Sequence, residues 1–206
     1  MKRDNVIFDF DGTLADSAVL TIAVFKKVAP EFGLPVPDYE HLRSCIGYAN
    51  PEFYNHIYPD QPAELVRLVG EKVERLESEM LADFEGELLF PGCKELLKRL
   101  EALGISIYIA STADKGHILP IMEKTGITHF FKEIFCDEPD KTEMLQRIIL
   151  DTNKGKFIMV GDMVKDSSAA RTNGIFSVGA CYGYCIKEKS NFDAYINTPA
   201  ELLEYL

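Results

Sequence analysis

Cations are scarce in this chain. Its 206 residues hold 22 lysines and arginines against 33 aspartates and glutamates, a formal net charge of −11. That balance argues against nonspecific binding to nucleic acid or to an anionic membrane. An anionic ligand would need a local site where cations or a metal are concentrated. The five cysteines are odd in number and unrelated in spacing. Cys181 and Cys185 have no second pair and no neighbouring His to complete a zinc site, so the cysteines read as core or surface thiols of a reducing cytoplasm. No apolar run reaches the length of a membrane span, and acids interrupt the stretch MKRDNVIFDF too early for a signal peptide. There is no internal repeat and no low-complexity tract, and nothing in the sequence fixes an oligomeric state.

The hydrophobic share of 47% can supply the core of one domain with a modest insertion. Asn5 to Phe10 reads as a strand. Asp16 or Ser17 is placed to cap a helix running to Pro30. The prolines of FGLPVPD mark a loop. Short helices are expected near YEHLRSCI and PEFYNHIY, and Pro62 opens a long one through AELVRLVGEKVERLESEMLADF. From Pro91 the rhythm changes to alternation. Helix GCKELLKRLEALG precedes strand ISIYIAS, helix GHILPIMEKTG precedes strand EIFCD, and helix KTEMLQRIILD, capped by Asp140, precedes strand KFIMVGD. Helix DSSAARTNG, strand IFSVGA and a last helix PAELLEYL complete the chain. Such alternation predicts an α/β fold, a Rossmann-like parallel sheet with helices on both faces. The expected division is a core of residues 1–15 and 85–206 with an all-helical insertion of residues 16–84.

Ligands of open α/β sheets bind at the carboxyl ends of strands. Three such ends here carry polar clusters. The first is Asp9-Phe10-Asp11-Gly12-Thr13. Carboxylates at i and i+2 share a face of an extended strand, and their repulsion raises one pKa. That suits one ionised nucleophile beside one acid protonated part of the time. Gly12 allows close backbone approach to a ligand. The plain alternative is a pair of aspartates capping a turn. The second cluster is Ser111-Thr112, an anion site or a simple helix cap. The third is Gly161-Asp162 with Asp166, a helix N-cap with a first-turn acid or, beside Asp9, a set of hard oxygen ligands. With no His or Cys expected nearby, such a set suits Mg²⁺. Lys141, at a helix start, offers a compact charge for a phosphate.

This combination resembles the haloacid dehalogenase-like hydrolase superfamily, which is dominated by phosphatases. DFDGT at 9–13 matches its first motif, Ser111 the second, Lys141 the third, and Gly161-Asp162 with Asp166 the fourth. They occur in family order across most of the chain. The third motif usually reads Lys-Pro and here is Lys141-Thr142; Lys115 is the weaker alternative source of that charge. The insertion is similar to the small helical cap of phosphoglycolate phosphatase-like members, and LRSCIGYANPEF to the cap segment that faces the site. There Arg43 and Asn50 are candidate substrate contacts. The resemblance implies a Mg²⁺-dependent phosphatase acting on a small phosphorylated metabolite. Asp9 would attack phosphorus and Asp11 would serve as acid and base. Asp9, the Asp11 carbonyl and Asp162 would hold the metal, with Asp166 a ligand or just behind one. Gly12, Ser111, Thr112 and Lys141 would hold the phosphoryl oxygens. Asp11 argues against a dehalogenase or an ATPase-type member. A sugar phosphomutase of the β-phosphoglucomutase type shares the same core and is the alternative. An idle binding protein would usually have lost Asp9 or Asp11, and a signalling receiver lacks the helical insertion.

Overall fold

A computed structural model describes residues 3–136, 138, 140–152, 155–184 and 191–206. Cys185 lies outside the described residues. Six parallel strands form one sheet. They are β1 (Asn5–Phe8), β2 (Ser106–Ala110), β3 (Glu133–Phe135), β4 (Phe157–Gly161), β5 (Phe176–Ala180) and β6 (Ala194–Ile196), in the spatial order β3-β2-β1-β4-β5-β6. The fold is α/β with a parallel Rossmann-like sheet. Strand order reverses beside β1, which has β2 on one side and β4 on the other, so the three strand ends that carry polar clusters lie next to one another.

Alternation along the strands sends side chains to opposite faces, and both faces are covered. Val6, Phe8, Ile107, Ile109, Ile158 and Val160 share one core with side chains of α5 (Cys93–Ala102) and α6 (Lys115–Thr125). Ile7, Tyr108 and Met159 face the other way, onto Met144, Leu145 and Ile148 of α7 (Lys141–Thr152) and Ala169 and Ala170 of α8 (Val164–Thr172). Phe8 and Ile7 are fully buried, each worth about 1.5–3 kcal/mol by burial.

Between β1 and α5 the regular structure is helical: α1 (Ala18–Glu31), α2 (Tyr39–Cys45), α3 (Glu52–Ile57) and α4 (Ala63–Asp83). α1 packs along α4, and α4 rests on α6. The two connections to this block pair with each other. Asp16 N donates to Leu88 O (3.0 Å) and Phe90 N to Leu14 O (3.0 Å).

Three local expectations are corrected. Neither Asp16 nor Ser17 caps α1 through its side chain. The Ala18 N–H instead donates to the Tyr184 hydroxyl (3.1 Å), which itself donates to Asp16 Oδ1 (2.7 Å). The final helix is a 3₁₀ helix, Pro199–Tyr205. The stretch before that helix, expected to hold no strand, holds β6, whose three residues are bracketed by the turn formers Asp193 and Asn197. Among the described residues no helix is long and apolar enough to cross a membrane.

Candidate active site

Asp9 follows β1 directly. Its N–H continues the ladder to Val160 O (2.8 Å), and its Oδ1 accepts from the Phe10 N–H (2.8 Å). The chain then turns at Gly12, φ 77°, where a Cβ would lie 2.5 Å from Asp162 Oδ2. Only glycine meets both demands. β4 delivers Asp162, 3% exposed. Its Oδ1 accepts a long bond from Thr13 Oγ1 (3.4 Å), and its buried Oδ2 has no hydrogen-bond partner. Asp166, in the first turn of α8, is fully buried. Its Oδ2 accepts from the Met163 N–H (2.9 Å), so the side chain also closes the helix start.

Lys141, the first residue of α7, joins these acids. Its Nζ lies 2.6 Å from Asp9 Oδ1 and 2.5 Å from Asp166 Oδ1. Asp140 opens the helix by accepting from the Thr142 N–H (2.7 Å), so threonine in place of the family's proline keeps a capped start. Lys115 is exposed on α6. Carboxylate oxygens of Asp9, Asp162 and Asp166 all lie within 4.8 Å of one another. Burial pushes Asp9 up to about 6 against the pull of Lys141. Burial, then Asp9 and Asp166, push Asp162 well above the carboxylate range. Burial works against the Lys141 ammonium, but Asp166 and Asp9 outweigh it and hold its pKa above the ordinary lysine value. Lys141 faces three buried carboxylates, and the buried Asp162 Oδ2 is an acceptor without a hydrogen-bond partner that a cation would satisfy. The all-carboxylate donor set fits a hard divalent ion.

Ser111, 2% exposed, follows β2 directly and accepts from the Ala113 N–H (3.2 Å). The Thr112 hydroxyl is turned to the helical block, donating to Gly47 O (3.3 Å) and accepting from Lys165 Nζ (2.5 Å). Lys165 also donates to Gly47 O, so one lysine clasps the α2–α3 loop to the sheet. Above the acids lies a cavity of about 640 Å³, bounded by Asp9, Asp11, Ser111 and Thr112 below and by Phe53, Tyr54, Glu74 and Glu77 of the helical block.

Asp11 faces that cavity and has a partner the sequence did not reveal. His117 Nε2 lies 2.9 Å from Asp11 Oδ1, which corrects the expectation of a histidine-free neighbourhood. Burial raises the Asp11 carboxyl, but His117 outweighs it and holds the group below its ordinary value, so the raised member of the pair is Asp9, the reverse of the expected division between nucleophile and acid. Burial likewise opposes protonation of His117, yet Asp11 and Glu77 hold its pKa well above the ordinary value. The two candidate substrate contacts fare differently. Arg43 lies outside the cavity lining. It donates to Gly183 O (2.8 Å) and stacks 4.9 Å over the Tyr184 ring. Asn50 lines the cavity but gives its amide to Glu74 Oε1 (2.7 Å).

A parallel sheet with buried carboxylates at its strand-order reversal, roofed by inserted helices, places a ligand site where open α/β sheets bind their ligands. Residues 6–180 match the family described as haloacid dehalogenase-like hydrolase, and the chain belongs to that family. Among its relatives are the phosphoglycolate phosphatase of Agrobacterium fabrum, 28% identical over 86% of this chain and 80% of that protein, and a 5'-nucleotidase of Pseudomonas aeruginosa, 27% identical over 89% and 85%. The crystal structure of a predicted phosphoglycolate phosphatase from Haemophilus somnus 129PT shares the fold, with a TM-score of 0.88 and 20% identity over 100% of this chain and 98% of that one.

Proposed function

We propose that this protein is a Mg²⁺-dependent phosphatase that hydrolyses a small phosphate monoester through an aspartyl-phosphate on Asp9. The convergence of Asp9, Asp162 and Asp166 with Lys141 beneath a roofed cavity carries this reading. An Asp9 carboxylate oxygen attacks phosphorus as the bond to the leaving oxygen breaks. Asp11, protonated, gives its proton to that oxygen and releases an alcohol. Water then attacks the phosphorus of the aspartyl-phosphate, Asp11 takes the water's proton, and the Asp9 carboxylate departs. Lys141, Ser111 and the main chain at Gly12 stabilise the transferring oxygens. Asp9, Asp162 and the Asp11 carbonyl would hold Mg²⁺, which when bound neutralises the charge that keeps a carboxylate and a phosphate apart. Both oxygens of Asp166 are engaged, which favours a role in holding Lys141 rather than ligating metal.

Residues 16–84 form, in this reading, a cap domain over a core of residues 1–15 and 85–206, excluding bulk water when closed. The cap also bears on substrate choice. Glu74, Glu77 and Asp114 line the cavity. Among the described lining residues the only cationic candidates, Lys165 and His117, already have partners. An uncharged or amine-bearing alcohol fits that wall better than one carrying a second anion.

The test is a panel of phosphate esters incubated with Mg²⁺ and scored for free phosphate. Release by the wild type and silence of Asp9→Asn are expected. Isomerisation of a hexose phosphate without phosphate release would move the assignment to the sugar phosphomutase, which keeps the phosphoryl group on the enzyme while the substrate reorients.

A further inference from the structure

We propose that His117 is a positioning residue for Asp11, and that it ties the orientation of that carboxyl to closure of the helical block through Glu77. This rests on the phosphatase reading above. His117 belongs to the first turn of α6, where Asp114 caps the helix by accepting from its main-chain N–H (3.0 Å). The ring is fixed in place, with the Phe10 ring edge-on at 6.5 Å and 87°. Nε2 lies 2.9 Å from Asp11 Oδ1 on one side, and Nδ1 lies 3.7 Å from Glu77 Oε2 on the other. Glu77 in turn accepts from Thr21 Oγ1 (2.7 Å).

The chain of contacts runs Asp11, His117, Glu77, Thr21, and it crosses from the sheet domain into α4 and α1. The ring nitrogen meets Asp11 Oδ1, which can accept from it whether or not the carboxyl is protonated, so the proton that Asp11 passes to the leaving group is carried on its other oxygen. A free aspartate would sample several side-chain rotamers, and small misplacement of an acid is costly. Glu77 and Thr21 belong to the helical block and His117 to α6, so the ring is held from both sides in this arrangement, and an opening of the block would release the Glu77 side.

The test is leaving-group dependence. A simple alkyl phosphate needs a proton on its departing oxygen, while p-nitrophenyl phosphate releases a stable phenolate without one. The kcat/KM for each reports the steps through departure of that group. His117→Ala should lower kcat/KM for the alkyl ester by about 10²-fold, and for p-nitrophenyl phosphate by no more than about threefold on the same reasoning. His117→Gln, which keeps an N–H donor, should recover part of the loss. Glu77→Gln should show the same pattern more weakly, and it is the second probe should His117→Ala fold poorly. Equal losses on both esters, or no loss on either, would overturn the proposal. Asp9→Asn separates the two levels. If it is silent while the His117 variants fail to discriminate between esters, the positioning role alone is wrong. If it retains activity, the chemistry on which the role depends is wrong and the proposal goes with it.

Discussion

Lys141 places its ammonium 2.6 Å from Asp9 Oδ1, with the two side chains only 1% and 6% exposed. A buried pair of this kind adds little net stability as an interaction, but removing one partner strands the other in a medium that solvates charge poorly. Here the stranding is double, because Asp166 leans on the same nitrogen. Lys141→Met is expected to destabilise the metal-free protein by about 3–5 kcal/mol, read from urea unfolding at neutral pH. A loss below about 1 kcal/mol would mean the acids are compensated from elsewhere.

Asp11→Asn keeps the shape of the side chain and removes its proton chemistry. Turnover of an alkyl phosphate should fall by about 10²–10⁴-fold. Phosphate release at a near-normal rate would take the acid and base role away from Asp11.

The buried acids make stability depend on pH in a stated direction. Asp9 is raised from 3.8 to about 6 and Asp162 moves the same way, so the folded state binds more protons than the unfolded one through that interval. Unfolding free energy of the metal-free protein should therefore fall as pH rises from about 4 to about 6. Glu74, raised from 4.5 by burial, adds to the same decline, whereas Asp11 and His117 act outside that window. The depressed Asp11 carboxyl contributes stability above the ordinary carboxylate value and loses it in stronger acid. The raised His117 contributes fully below its unfolded value and loses that contribution as pH rises through its folded one. Mg²⁺ should reverse the decline by pairing the ionised carboxylates, adding about 2.7 kcal/mol at a concentration 100 times its Kd. Thermal melts with Mg²⁺ and with EDTA across this range check the claim, and a metal effect that shrinks toward neutral pH would contradict it.

The carboxylate wall predicts a preference among substrates. Phosphoglycolate brings a second anion toward Glu74 and Glu77. Its kcat/KM should be at least about tenfold below that of a phosphate ester of a neutral polyol or an amino alcohol, since like charges brought together cost several kcal/mol. Equal or better use of phosphoglycolate would show that Lys165 or His117 leaves its present partner to meet the second anion.

What the sequence disclosed and what it withheld divide along a physical line. Asp9, Asp162 and the α/β alternation were legible because a hydrophobic strand ending in an acid is a local pattern. The partners of those acids were not. His117 meets Asp11 across 106 positions, and nothing in the GHILP stretch marks its ring as facing a strand end. Lys165 did carry a signal, a cation set between two candidate acids in GDMVKD, but only the folded chain brings it to Gly47 and Thr112. Arg43 went wrong for a related reason. Its segment does approach the site, but the guanidinium finds the Tyr184 ring and a carbonyl nearer than the cavity. The cap of α1 was unreadable because a tyrosine hydroxyl from residue 184 supplies it.

The short ladder joining Leu14 and Asp16 to Phe90 and Leu88 has an architectural consequence. It brings the two ends of the long helical excursion side by side, a hydrogen bond apart. A designer could delete the excursion and bridge the gap with a tight turn, or graft a foreign one there, without changing the order of the strands. On the proposed reading, the reaction centre and the helical block that would select its alcohol could then be exchanged or evolve at different speeds.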